Sequence, residues 1–181
     1  MSTDYRLHTQ GWVEKVVVGL NLCPFAAKPH RFGLIRYVVE EGSTTEELSA
    51  ALLQEARHLL GSSPKAIETT LIIHPNVLLD FLDYNDYLGE AEDLMHEQAW
   101  DGLLQLASFH PDYQFAGTAP DEASNYTNRS PYPMLHLLRE DSLERALAEY
   151  ENPESIPERN IERMQALGRP GILKLLKEIQ A

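Results

Sequence analysis

The chain has little of what most readily declares a function. Its single cysteine, Cys23, forbids an intrachain disulfide and rules out a Cys-rich zinc module, which suits a reducing compartment. Long apolar runs are missing. Val16 to Leu20 is too short and too poorly flanked for a signal peptide or a membrane span, so the expectation is a cytoplasmic protein without a membrane partner. Positive charge is scarce: 15 Lys and Arg face 28 Asp and Glu, a formal net charge of −13. That balance repels a nucleic-acid backbone, and no Lys/Arg-rich segment offsets it, so nucleic acid is not an expected partner. Phosphate-cradling glycine patterns are absent as well. Neither G-x-G-x-x-G nor G-x-x-x-x-G-K-[ST] occurs, which removes the usual case for a nucleotide cofactor, and G-x-S-x-G is missing too. His96-Glu97 begins like a zincin helix, but the second His position holds Trp100. Asp83 to Gly89 resembles a calcium loop only faintly, because Tyr87 and Leu88 occupy a ligand and the glycine position.

What is present reads as alternating strands and helices. With 181 residues and 43% hydrophobic content the chain can bury one core, so residues 1–181 are expected to form a single domain. Leu7, Trp12, Val13, Val16 and Val17 repeat at mostly helical spacing, and Pro24 blocks continuation. Leu34 to Glu40 is β-branched and aromatic enough for a strand. Ser43 and Glu46 have capping-box spacing before Leu48, Ala51, Leu52, Ala56 and Leu59, with Gly61 as the stop. Thr69 to Ile73 predicts a second strand, Val77 to about Gln98 a long helix, and Leu103 to Phe109 a third strand. This order points to an α/β fold with a small, mostly parallel sheet whose neighbouring strands are joined by crossovers. Met134 to Arg139 suits a fourth strand, and Asp141 or Ser142 a cap for a short helix reaching Tyr150. Beyond Pro153 and Pro157, the Ser155/Glu158 spacing announces another helix, and Gly168 to Gly171 separates it from Ile172 to Ile179. These C-terminal helices are expected to cover the sheet.

Two predicted strands stop at His-Pro, at His74-Pro75 and at His110-Pro111. If the strands run parallel, both imidazoles lie at one sheet edge, where open α/β proteins bind ligands. His74, His110 and Asp112 then supply two imidazoles and a carboxylate, a set suited to a divalent iron, zinc or manganese ion. The plainer reading is that each His-Pro simply ends a strand, with the ring bonded to a loop carbonyl. Cys23 sits at a helix-to-loop junction and is a candidate nucleophile or pocket residue, although a buried packing role suits a free cysteine better. Between Asp112 and Arg129 runs a polar, aromatic stretch longer than a simple connection needs. Arg129 can grip a carboxylate or phosphate through its planar fork, with Asn125 and Asn128 as added donors and Tyr113 and Tyr126 as pocket walls. Equally, Arg129 can pin the loop down.

Three blocks, Leu20-Asn21-Leu22-Cys23-Pro24-Phe25-Ala26, Ser108 to Thr118 and Asn125 to Met134, resemble an uncharacterised bacterial family catalogued as a domain of unknown function. The resemblance spans most of the chain and implies a bacterial cytosolic protein, but brings no activity, cofactor or catalytic residue. The leading expectation from the residues is therefore a metal-dependent enzyme acting on a polar or anionic small molecule by hydrolysis or oxygen chemistry. Its alternatives are a metal-free acid/base enzyme using a His with Arg129, and a noncatalytic ligand- or protein-binding domain. Oligomeric state is left open.

Overall fold

A computed structural model describes residues 3–179. The first helix, α1 (Tyr5–Trp12), is capped by the Asp4 carboxylate and continues as a π-helical turn over Val13–Val18. After a short α2 (Ala27–Arg31) come β1 (Ile35–Val39), α3 (Thr45–Gly61), β2 (Thr69–Ile73), α4 (Phe81–Glu97) and β3 (Leu104–Phe109). A 3-10 turn at Ala123–Thr127 interrupts the long loop before β4 (Met134–Arg139) and α5 (Glu140–Ala148). A second 3-10 turn, Pro153–Ser155, leads into α6 (Ile156–Ile179), which breaks at Gly168, where φ is +66°.

The strand order is β1-β2-β4-β3. β1 and β2 pair in parallel, whereas β4 pairs antiparallel with both β2 and β3. Three of the four strands thus share one direction, but the expected parallel contact between β2 and β3 does not form, because β4 lies between them. A later segment that is itself strongly apolar took the place that chain order alone assigned to β3.

Side chains alternate across the sheet and build two cores. Ile72, Leu104, Leu135 and Leu137 pack beneath α3 and α4 with Leu48, Leu52, Tyr84 and Ala91. Leu71, Ile73 and Met134 face the other way, against Trp12, Val16 and α6 residues Met164, Ile172 and Ile179. The C-terminal helix therefore covers one face, as its periodicity predicts.

Several local expectations move by a few residues for identifiable reasons. The box at the start of α3 is Thr44 with Glu47, not Ser43 with Glu46: Thr44 Oγ1 accepts from Glu47 N–H, and the Glu47 carboxylate accepts from Thr44 N–H. Helix α4 begins at Phe81 rather than Val77, because Leu78 takes a left-handed φ of +56° and Asp80 caps the helix by accepting from Leu82 and Asp83 N–H. Asp141 and Ser142 lie inside α5, whose cap is Arg139. Ser155 belongs to the 3-10 turn and donates to Asn152 O, so it does not cap α6. Arg139, at the end of β4, is buried. Its guanidinium donates to the carbonyls of Leu59, Ser62 and Ile67, tying β4 to the carbonyl-rich end of α3.

Candidate functional site

Because β4 runs opposite to both neighbours, its first residue, Met134, stands between Ile73 of β2 and Phe109 of β3. His74 and His110 follow those two residues, so they share one sheet edge, on the α4 side, with two strand spacings between them, about 10 Å. Backbone bonds fix both positions: His74 N–H donates to Pro133 O at 3.0 Å, and His110 N–H to Asn128 O at 3.3 Å. Both rings lie against Tyr84, at centroid distances of 5.8 and 5.0 Å, and Phe81 lies 5.5 Å from His110.

The short turn between β2 and α4 orients the two imidazoles with successive carbonyls. His74 Nδ1 donates to Val77 O at 3.0 Å, and His110 Nε2 lies 3.2 Å from Leu78 O. His110 Nδ1 accepts the Asp112 backbone N–H at 3.0 Å, which places the ring proton on Nε2. Leu78, whose carbonyl receives that proton, is one of the few non-glycine residues with positive φ. Such a conformation costs on the order of 1 kcal/mol or more for a γ-branched side chain and has to be imposed by its surroundings.

The two histidines differ in what remains free. Both ring nitrogens of His110 are engaged. His74 is 0% exposed, its tautomer is set by Val77, and its Nε2 has no hydrogen-bond partner. Burial lowers the His74 pKa to about 4, opposed by the Val77 carbonyl and reinforced by the nearby His110. It is therefore a neutral imidazole at pH 7. Burial also lowers His110, while the Leu78 carbonyl, Asp112 and Asp80 act in the other direction. Tyr84 donates its hydroxyl to Met134 O at 2.8 Å and accepts from Phe109 N–H at 3.1 Å, and burial raises its pKa.

The expected metal set of His74, His110 and Asp112 does not fit together. Among the described residues no three His, Cys, Asp or Glu side chains are placed to hold one ion. The reason is local: the Nδ1 lone pair of His110 is taken by the Asp112 amide, Nε2 carries the proton, and the Asp112 side chain is exposed. Cys23 does not join the site either. Its neighbour Leu22 is buried in the core on the opposite face, and the Leu22 carbonyl accepts from Asn160 at 2.7 Å. Burial pushes the Cys23 thiol above its ordinary value, which disfavours the thiolate at pH 7.

The proposed substrate grip at Arg129 is instead a loop clamp. Its Nε donates to Tyr113 O at 2.9 Å, Nη2 donates to Pro120 O at 2.8 Å, and the guanidinium lies 4.6 Å over the Tyr126 ring. Asn125 is completely buried. Its Oδ1 accepts from Phe115 N–H and Thr118 Oγ1, and its Nδ2 donates to Ala119 O. Asn128 Nδ2 reaches Ser108 O at 3.4 Å, and Tyr126 is buried in the core. Tyr113 alone of this group borders the histidine edge, through Phe81 at 5.1 Å. A polar loop of this length contains many carbonyls, and the polar side chains satisfy them before any ligand does.

A concave region away from the histidine edge was not foreseen. A cavity of about 380 Å³ is lined by Leu20, Asn21, Arg159, Asn160, Glu162, Arg163 and Ala166. The one signal for it in the sequence is the i, i+4 spacing of Arg159 and Arg163.

The chain belongs to the family described as Protein of unknown function (DUF1415), whose model matches residues 4–174. It matches no curated protein and no solved structure. Among the described residues no helix is long and apolar enough to cross a membrane.

Proposed function

We propose that this member of the family is a metal-free acid/base enzyme acting on a small polar molecule at the His74–His110 edge. The single observation that carries the reading is the unpartnered Nε2 of a fully buried His74 whose other nitrogen is fixed by Val77 O. Buried polar atoms without partners are uncommon and call for an explanation. Here the tautomer is set and the ring is neutral at pH 7, so the lone pair is available to take a proton, and with a pKa of about 4 the ring is a weak base until a neighbouring anion strengthens it.

In this reading His74 Nε2 takes a proton from the substrate and returns it to the product. The Nδ1–H stays on Val77 O throughout and stabilises the imidazolium while it exists. An anionic substrate fits better than a neutral one, because its charge offsets the burial that holds the imidazole deprotonated. His110 positions the edge by tying β3 to the Leu78 turn. His74 is fully buried, so a substrate reaches it only when a neighbouring element moves, and we assign that movement to the turn carrying Val77 and Leu78, whose Leu78 has a left-handed backbone.

The test is His74→Asn, which keeps a donor for Val77 O and deletes Nε2. Parent and variant are incubated in D2O with pooled small carboxylic, keto and hydroxy acids, and deuterium incorporation or turnover is followed by NMR. Incorporation by the parent that disappears in the folded variant, and persists after chelation, supports the reading. Equal activity in both proteins, or none in the parent, sinks it.

A further inference from the structure

The two edges of the sheet are finished differently. On β3 the bonds to β4 come from odd-numbered residues, as Glu140 N–H donating to Leu103 O shows, and the outward groups of the even-numbered ones are taken at both ends. Leu104 N–H donates to Trp100 O at 3.1 Å, Ser108 O accepts from Asn128 Nδ2 at 3.4 Å, and His110 N–H donates to Asn128 O at 3.3 Å. Of the outward residues only Leu106 keeps both groups free. On β1 the bonds to β2 come from even-numbered residues: Leu34 O accepts from Glu68 N–H and Glu40 N–H donates to Ile73 O, each at 2.8 Å. Ile35, Tyr37 and Val39 therefore aim their N–H and C=O groups away from β2, and among the described residues no strand, loop or side chain bonds them.

Native sheet edges are protected by lysine, proline, bulges or a covering element, because a row of free backbone groups is a template for another strand. β1, Ile35-Arg36-Tyr37-Val38-Val39, carries neither lysine nor proline. Its one charge does not guard the edge: Arg36 Nε and Nη2 donate to the buried Glu55 of α3 at 2.6 and 3.1 Å, which turns the side chain toward that helix. A cavity of about 310 Å³, bordered in part by Arg6 and Gln10 of α1 and by the consecutive residues Gly33 to Tyr37, lies beside the first half of the strand. The approach to the backbone there is open.

We infer that β1 pairs antiparallel with β1 of a second copy of this chain, about a two-fold axis through Val38, joining the two sheets edge to edge. An axis normal to the sheet keeps like faces together, so it sets Arg36 opposite Glu40 of the second copy and Tyr37 opposite its Val39. The strand is thus complementary to itself in charge. Centring on Arg36 would face like charges, and centring on Tyr37 would set Arg36 against Val38. Tyr37 and Val39 are outward residues, so their two pairs exchange four N–H···O bonds. Arg36 and Glu40 form the intervening non-hydrogen-bonded pairs, whose side chains stand closest. Both have capacity left: Arg36 Nη1 makes no hydrogen bond, and the Glu40 carboxylate is engaged only through Oε1, which accepts from Gly42 N–H at 2.8 Å. Nothing in this inference rests on the reading of His74.

The experiment is sedimentation velocity of the full chain from about 1 to about 100 μM in about 0.15 M salt, which screens the repulsion between two chains of net charge −13. It is repeated for Glu40→Lys, which sets like charges across the pair, and for Val39→Pro, which deletes one outward N–H and spares the bonds to β2. Thermal unfolding verifies that both variants fold. The parent is expected to reach twice the chain mass within that range, and each variant to associate at least about tenfold more weakly. Val38→Cys in a Cys23→Ser background brings two thiols together across the axis, at a Cα separation of about 4.5 Å that a disulfide can span. It is expected to oxidise to a covalent dimer, whereas Leu7→Cys, an exposed control in the same background, is not. A parent that stays monomeric throughout overturns the inference and leaves the edge to a strand of another protein. So does a dimer that both variants leave unchanged, or one whose Val38→Cys form does not cross-link.

Discussion

Arg129 and Arg139 on one side, and Arg159 and Arg163 on the other, are the same residue type in two conditions. The first pair has its donors directed into backbone carbonyls, of Tyr113 and Pro120 for Arg129 and of Leu59, Ser62 and Ile67 for Arg139. The second pair lines a cavity: Arg163 is exposed and makes no side-chain hydrogen bond, and Arg159 bonds the Tyr150 hydroxyl through Nη1 while its Nη2 is buried without a partner. A guanidinium is therefore available to a ligand only where nearby backbone leaves it donors to give. His74 and His110 repeat the lesson within one sheet edge: His110 has both nitrogens engaged, and His74 keeps one free.

The sharpest way to break this comparison is to remove an engaged arginine. Arg139→Ala is expected to lower stability by about 3–5 kcal/mol, since it leaves three buried or half-buried carbonyls without their donor and removes packing at the end of β4. Chemical denaturation measures it, and a loss below about 1 kcal/mol would show that these carbonyl bonds contribute little.

Acid titration examines the imidazoles. Burial lowers both His74 and His136 to about 4, against an ordinary 6.5. Between pH 6.5 and 4 the unfolded chain binds more protons at these sites than the folded one, so stability is full above that window and falls as pH drops through it. Each group contributes up to about 3 kcal/mol of that fall. Denaturation at pH 7 and pH 4.5 should show His74→Asn losing less on acidification than the parent. An identical loss would mean that His74 is not held neutral by burial.

Arg129→Ala should cost less than Arg139→Ala, about 1–2 kcal/mol, because its bonds are partly exposed. Its signature is local: faster amide exchange between residues 113 and 120, with the rest of the sheet unchanged. The smallest effect belongs to the unengaged side. Arg163→Gln should leave stability within about 0.5 kcal/mol, because the side chain is exposed. A larger loss would place Arg163 among the structural arginines.

Much of the fold was legible in single segments. Thr69 to Ile73 and Met134 to Arg139 are strands within the bounds that their composition predicts, and Gly168 does interrupt the C-terminal helix. The capping box at α3 shifted by one residue because Thr44 and Ser43 both qualify chemically, and only backbone geometry chooses between them. The candidate site was legible only in part. The His-Pro pair identified the sheet edge, since a strand end and its direction are local and topological facts. The fate of Arg129, Asn125 and Asp112 was not legible, because each depends on which carbonyl or amide the folded loop places within hydrogen-bond distance.

By itself, the sequence determined the alternation of strands and helices, the two amphipathic helical faces and the sharing of one edge by His74 and His110, given a common strand direction. These follow from periodicity, caps and chain reversal, which act over a few residues. The tertiary structure alone decided that β4 separates β2 from β3, that the Arg129 loop is held by its own polar side chains, and that Arg159 and Arg163 line a cavity. Those outcomes depend on partners far apart in the chain: Arg139 meets Leu59 and Asn160 meets Leu22, and competition among such contacts selects the groups that remain free.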